Sequence, residues 1–226
     1  MTFKNIADQI SRFFVGGLFI FSGLIKLNDP VGTRIKMEEY FGVFAEDFGS
    51  LFSAFVPFAL EIGMVMIIME IVLGVAVLIF YRMNLTTVLL LILMVFFTFL
   101  TFYSAYFNKV TDCGCFGDFV KLTPWTSFWK DIVLLVLILI LFVNRELIRP
   151  LFNEKSAKTV AWILLIPTII FPIYSWYYLP PLDFRPYAIG KDLRKQMEIP
   201  ADAPKDSVVQ VFIYKNLKTG QNEEIS

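Results

Sequence analysis

The stretch from Leu85 to Phe107, LTTVLLLILMVFFTFLTFYSAYF, decides the fold. It is almost wholly aliphatic or phenylalanine until Thr98, Thr101, Tyr103, Ser104 and Tyr106 enter near its end, and no charge interrupts it. A run of that length crosses a hydrocarbon layer as an α-helix, because a helix satisfies its own backbone polar groups where there is no water. The late polar residues read as interface anchors and helix-to-helix hydrogen bonds.

Four further apolar runs flank it, at about Phe13 to Leu27, Phe55 to Tyr81, Phe128 to Val143 and Thr159 to Leu179. The first is short for a span unless the residues just before it join the helix. Lys4 and Arg12 precede it with no small-residue cleavage signal behind, so it reads as a retained helix and not a signal peptide. Composition agrees: 57% of the 226 residues are hydrophobic, and the mean hydropathy is +0.67. The expected fold class is an all-α membrane protein. It comprises a four-helix transmembrane core over residues 1–150, a fifth helix over 151–182, and a small C-terminal segment over 183–226. In that last segment Val208 to Tyr214, a turn at Lys215 to Gly220 and a weaker following run predict a β-hairpin, which is marginal without further cover.

The connections carry their own signals. Asp29-Pro30 and Gly32 read as breakers, followed by a short amphipathic helix from Ile35 to Phe44 lying at the interface. Pro57 takes a tolerated first-turn position in the second span. Thr123-Pro124 supplies a turn and cap for the fourth, whose first turn would then carry Lys130 and Asp131, the aspartate favoured there by the helix dipole. Pro167 and Pro172 predict a kinked fifth span.

Several function classes fall away. Net charge is zero with no basic block, so there is no footprint for nucleic acid. With no histidine, hydrolase arrangements that need it are excluded. Two cysteines do not fill a four-ligand zinc site, and no haem-attachment motif is present, so no metal is expected.

The ionisable residues inside the spans are few and costly. Ser22 and Lys26 are four apart on one helix face. Glu61 and Glu70, nine residues apart at about 100° each, point to opposite faces of theirs. With the first loop outside, Lys26 and Glu61 lie at similar depth and are the expected ion pair. Glu70 lies deeper, where a protonated carboxyl bonded to a neighbouring helix is the plain structural reading, against proton relay or ligand contact.

Between the third and fourth spans lies Asp112-Cys113-Gly114-Cys115-Phe116-Gly117-Asp118, which holds both cysteines. Two thiols separated by one glycine can close on each other, and the strained small ring they form is easily reduced. The competing reading is a structural clip, but a short bridge adds little loop-closure stability. Exchange needs a thiolate: Asp112 and Asp118 oppose it, whereas Lys109, Lys121 and the start of the fourth helix favour it. Lysine and arginine only slightly favour a cytoplasmic N-terminus, with the short turn at Arg82 and the basic link from Arg145 to Lys158 inside. That orientation puts the cysteine loop and the C-terminus on the extracytoplasmic, oxidising side.

Phe21-Ser22-Gly23-Leu24-Ile25-Lys26 followed by Asp29-Pro30 resembles the start of DoxX-type membrane proteins. Glu70-Ile71-Val72-Leu73-Gly74 resembles their glutamate-plus-glycine helix. Asp112 to Gly117, followed by Trp125 to Asp131, resembles the signature of the methylamine-utilisation MauE branch. The resemblance covers about residues 10 to 145 and implies a four-helix core like that of disulfide-forming proteins of the bacterial inner membrane. MauE members are associated with maturation of a disulfide-rich periplasmic dehydrogenase subunit, and DoxX relatives include quinone-linked oxidoreductase subunits. Carried over by position, Cys113 and Cys115 become the redox pair, with Asp112, Gly114, Asp118 and Asp131 supporting. Ser22, Lys26, Glu61 and Glu70 are intramembrane polar residues without an assigned role.

The expected function is therefore thiol–disulfide exchange with a periplasmic client or a thioredoxin-like partner, an oxidoreductase chemistry. A quinone in the bundle is compatible with 25 phenylalanines, although phenylalanine is ordinary filler against lipid. The alternatives are a non-catalytic scaffold recruiting a partner through its C-terminal tail, and a solute transporter using Lys26, Glu61 and Glu70. No inverted repeat or matched broken helices favour the transporter.

Overall fold

A computed structural model describes residues 3–110, 114–117, 119–120, 122–146, 153–178 and 180–184, with shorter pieces beyond that include 212–215 and 222–225. Asp112, Cys113 and Asp118 lie outside the described residues.

Among the described residues six α-helices form the first of two compact units, Met1–Arg185: α1 (Phe3–Asn28), α2 (Pro30–Phe48), α3 (Ala59–Leu78), α4 (Met83–Phe107), α5 (Pro124–Asn144) and α6 (Glu154–Tyr177). A 3-10 helix, Ser50–Phe58, leads into α3. Among the described residues five stretches are long and apolar enough to cross a membrane: Ile6–Asn28, Ser50–Leu78, Met83–Phe107, Pro124–Asn144 and Lys155–Tyr177. Their outward faces carry large apolar side chains such as Phe13, Phe14, Ile92 and Val143, a burden in water and the ordinary state in lipid. The chain is a multi-pass, all-helical membrane protein in its first unit, and the bilayer is a partner of that surface.

Several boundaries differ from those expected, each for a local reason. Residues before Phe13 do join α1, which runs 26 residues. Asp29 and Pro30 end α1, as expected of breakers, and at once start α2, Asp29 accepting from the Gly32 amide at 2.9 Å and Pro30 taking the first turn. The resulting helix has 19 residues and buries Met37, Tyr40 and Phe44, so it is longer than the short surface helix expected. Pro57 falls inside the 3-10 helix and not in the first turn of α3. Thr123 caps α5 by accepting from the Thr126 amide, so α5 begins at Pro124. Asp131 is therefore well inside the helix, and its expected capping role is overturned. Asn153 likewise caps α6, which continues through Pro167 and Pro172.

The core is built from α1, α3, α4 and α5, with Val15, Val77, Leu90, Ile138 and Leu141 fully enclosed. α1 and α3 touch almost backbone to backbone. A Cβ on Gly16 would fall 2.9 Å from the Gly74 carbonyl oxygen, and one on Gly74 3.1 Å from that of Gly16, the close approach that small residues permit in membrane bundles. A second cluster, Met37, Tyr40, Phe44, Leu100 and Tyr103, seats α2 against the α4 end of the bundle.

The second unit, Pro186–Ser226, contains an antiparallel pair, β1 (Phe212–Lys215) and β2 (Asn222–Ile225), with Phe212 opposite Ile225 and Lys215 opposite Asn222. The first strand thus reaches Lys215, which the sequence assigns to the turn. Val208 to Val211 lie outside the described residues.

Candidate functional site

Consecutive spans alternate in direction, so the C-terminal ends of α1 and α4, the N-terminal end of α5 and the first turns of α3 gather at one end of the bundle, with α2 and the cysteine loop. A cavity opens there, with about 820 Å³ of non-atom space, the solvent at its mouth included. Its inner wall is apolar, from residues such as Phe19, Ile67, Met94 and Phe97, and its rim carries Lys26, Lys36, Glu70, Cys115, Lys130 and Asp131.

Two carboxylates face this cavity, each held by a lysine and a hydroxyl. Glu70, 2% exposed, accepts from Lys26 Nζ at 2.5 Å on Oε1, and Ser22 Oγ lies 3.0 Å from its Oε2. The expected Lys26–Glu61 pair is thereby overturned: Lys26 bonds Glu70, and Glu61 is exposed on the opposite face of α3. The opposite-face reading of the two glutamates holds. Depth counted from span ends misled because α3 starts only at Ala59 and because Gly16 and Gly74 draw α1 across the Glu70 face of α3.

Asp131, 1% exposed, accepts from Lys130 Nζ at 2.6 Å and from Thr101 Oγ1 at 2.9 Å. Neighbouring helical residues do not normally face each other, yet the long lysine stem lets its ammonium reach the Asp131 carboxylate. Lys130 lines the same cavity as Cys115 and Glu70, and its ammonium lies 5.4 Å from the Phe116 ring centroid. Lys26 similarly sits 4.9 Å from the centroid of Phe97. Lysines desolvated in this way gain from the ring quadrupole as well as from the carboxylates.

The cysteine loop is seated on this rim. The Cys115 carbonyl lies 2.9 Å from Ser22 Oγ, and Cys115 itself is half-buried on the cavity wall. Gly114 has φ +61, and a Cβ there would come 3.1 Å from Lys36 Cγ, so both backbone and space call for glycine. Phe116 and Phe119 pack on Phe21, each at 5.7 Å between centroids, and Phe119 meets Phe184 at 5.0 Å. The segment carrying Phe184 is pinned nearby, since the Asn28 amide bonds both the Leu182 carbonyl, at 2.6 Å, and its N–H, at 3.1 Å. A second cavity on the far side of the loop shares Lys26, Lys36 and Gly114 with the first.

Of the site residues expected from sequence, Ser22, Lys26, Glu70, Gly114, Cys115 and Asp131 line or approach one cavity, Glu61 does not, and Asp112, Cys113 and Asp118 lie outside the described residues. Lys130, Thr101 and Lys36 were missed. Lys130-Asp131 inside an otherwise apolar run carries a signal, because intramembrane ionisable residues mark sites more often than caps. Among the described residues no group of three or more metal-ligating side chains is gathered.

Fold and site together define a polytopic helical membrane protein with buried lysine–carboxylate pairs beneath a cysteine loop. Residues 4–144 match the family model for methylamine utilisation protein MauE, and the chain belongs to that family. No curated protein and no solved structure matches it.

Proposed function

We propose that this chain is an integral membrane thiol–disulfide redox protein whose Cys113–Cys115 pair exchanges disulfides with a periplasmic client or a thioredoxin-like partner. One observation carries the reading: Cys115 lines the cavity that the Lys26–Glu70 and Lys130–Asp131 pairs face, with Ser22 at its carbonyl and Lys130 on the same lining. A nearby ammonium favours sulfur as thiolate, the form that attacks and leaves in exchange. In the proposed cycle a client thiolate attacks one sulfur, breaking the Cys113–Cys115 bond and forming a mixed disulfide. The client's second thiolate then displaces the cysteine, so the client gains a disulfide and the pair leaves as two thiols. The same two steps in reverse, against the disulfide of a thioredoxin-like partner, restore the pair.

The apolar wall around Phe97 and Met94, with Lys26 and Lys130 as donors at its rim, also fits a quinone ring. Such a group supplies a two-electron, two-proton acceptor when bound. In this proposal residues 1–150 form the redox domain, 151–182 add a fifth span, and 183–226 form an extracytoplasmic tail. The N-terminus is cytoplasmic, the membrane is the bacterial inner membrane, and the methylamine system is one source of clients.

Thiol alkylation of isolated membranes, with and without reductant, tests the reading. Wild-type cysteines are expected to react only after reductant. Cys113→Ser and Cys115→Ser are each expected to abolish disulfide formation in a client while inserting normally. Client oxidation at the wild-type rate in both variants refutes the proposal.

A further inference from the structure

Ser22 stands between two acceptors. Its Oγ lies 3.0 Å from Glu70 Oε2 and 2.9 Å from the Cys115 carbonyl oxygen, and a hydroxyl has a single proton to give. Both contacts are full hydrogen bonds at once when Glu70 carries a proton on Oε2; without it the one hydroxyl proton is divided between two acceptors. In the protonated form the carboxyl donates to Ser22, Ser22 donates to the loop carbonyl, and Lys26 donates to Oε1 across 2.5 Å. When Glu70 is ionised it only accepts, and a charge-assisted bond to it is roughly twice as strong as a neutral one. Ser22 then turns to Glu70, and the Cys115 carbonyl loses this donor.

We propose that Glu70 and Ser22 form a proton-linked positioning pair, in which a proton bound at Glu70 inside the bundle sets whether the cysteine loop is held at the Cys115 carbonyl. The geometry is well fixed for such a role. Glu70 is 2% exposed, and the Gly16–Gly74 contact keeps α1, with Ser22, against α3. The charged and titratable groups facing Glu70 around the cavity are Lys26 from α1, Lys36 and Tyr40 from α2, Cys115 from the loop, and Lys130 and Asp131 from α5. From α4 comes Thr101, which does not titrate, and no α6 residue is among the described lining. By linkage, holding the loop favours the proton on Glu70 to the same extent.

The coupling bears on the thiol chemistry proposed above but is read without it, in reduced protein and with no client, so failure of either leaves the other standing. The probe is amide hydrogen exchange of residues 114–117 in detergent-solubilised full-length protein from acid to alkaline pH, corrected for the chemical exchange rate. In the wild type, protection of the loop is expected to fall roughly three- to tenfold as pH rises, the scale of one neutral hydrogen bond. Glu70→Gln keeps a neutral donor toward Ser22 and is expected to hold the protected level at every pH. Ser22→Ala is expected to sit at the unprotected level at every pH, and Ser22→Thr to restore the wild-type profile. A flat wild-type profile, or the wild-type slope persisting in Glu70→Gln or Ser22→Ala, overturns the proposal.

Discussion

The two ends of the helix bundle handle buried charge in different ways. At the cysteine end, each lysine meets a carboxylate and each carboxylate a hydroxyl, so charge is matched by charge. At the other end, where α1 and α5 meet the α3–α4 turn, Arg12 has buried Nε and Nη1 without a hydrogen-bond partner among the described residues and lies instead over rings. Its guanidinium carbon is 4.5 Å from the Phe13 centroid and 4.6 Å from that of Phe80. Phe80 and Arg82 hold left-handed backbone, φ 53 and 43, an uncommon state for side-chain-bearing residues that the buried Phe80 ring helps to fix. Asp8 and Asn144 join α1 to α5 there through a 2.7 Å bond. The far end uses a cation as packing material, whereas the cysteine end keeps groups that can trade protons. Buried charge marks candidate chemistry only where its partners are themselves ionisable.

The largest test of that contrast is Glu70→Ala, which leaves Lys26 buried beside Ser22 without its counter-charge. Removing one partner of a buried pair costs about 3–5 kcal/mol, expected as a large loss of Tm in detergent. The double variant Lys26→Met with Glu70→Leu is expected to regain most of it. A single variant as stable as wild type would show that the pair is solvated in the working protein.

Arg12→Met is expected to cost less, about 1 kcal/mol or under, because the cation–π gain it removes is offset by relief of unsatisfied donors. The same thermal measurement checks it, and a loss matching that of Glu70→Ala would erase the distinction between the two ends.

The smallest effect concerns Asp47 on α2, whose carboxyl is held below the usual carboxylate range first by its hydrogen bond from Lys109, then by that from Tyr103. Because the folded value is depressed, its stabilisation is present above the unfolded value of about 3.9 and is lost as pH falls through the folded one. Wild-type Tm is expected to fall more steeply than that of Asp47→Asn below about pH 4, with the gap shrinking in high salt. Identical profiles would remove Asp47 from the acid response.

How far the site was legible in the chain depends on which physical question each residue posed. Glu61 and Glu70 were assigned to opposite faces by helix geometry alone, and that was right, but the inward face was not readable because it depends on where α3 begins and how closely α1 approaches. Asp131 reads as a cap in the sequence because the apolar run begins at Phe128, four residues after the helix itself begins at Pro124. Of its two partners, Lys130 is adjacent, but Thr101 is 30 residues away on α4, and no local pattern announces it.

Apolar run length and composition by themselves determined that this protein crosses a membrane as helices, since a backbone in lipid has few other ways to satisfy its hydrogen bonds. The order of the spans and the place of the cysteines between two of them were fixed at the same level. That Lys26 meets Glu70 and not Glu61 was decided by the tertiary structure alone. Pairing in a bundle follows helix rotation and backbone approach over a few ångströms, and those are set by the packing of many residues together.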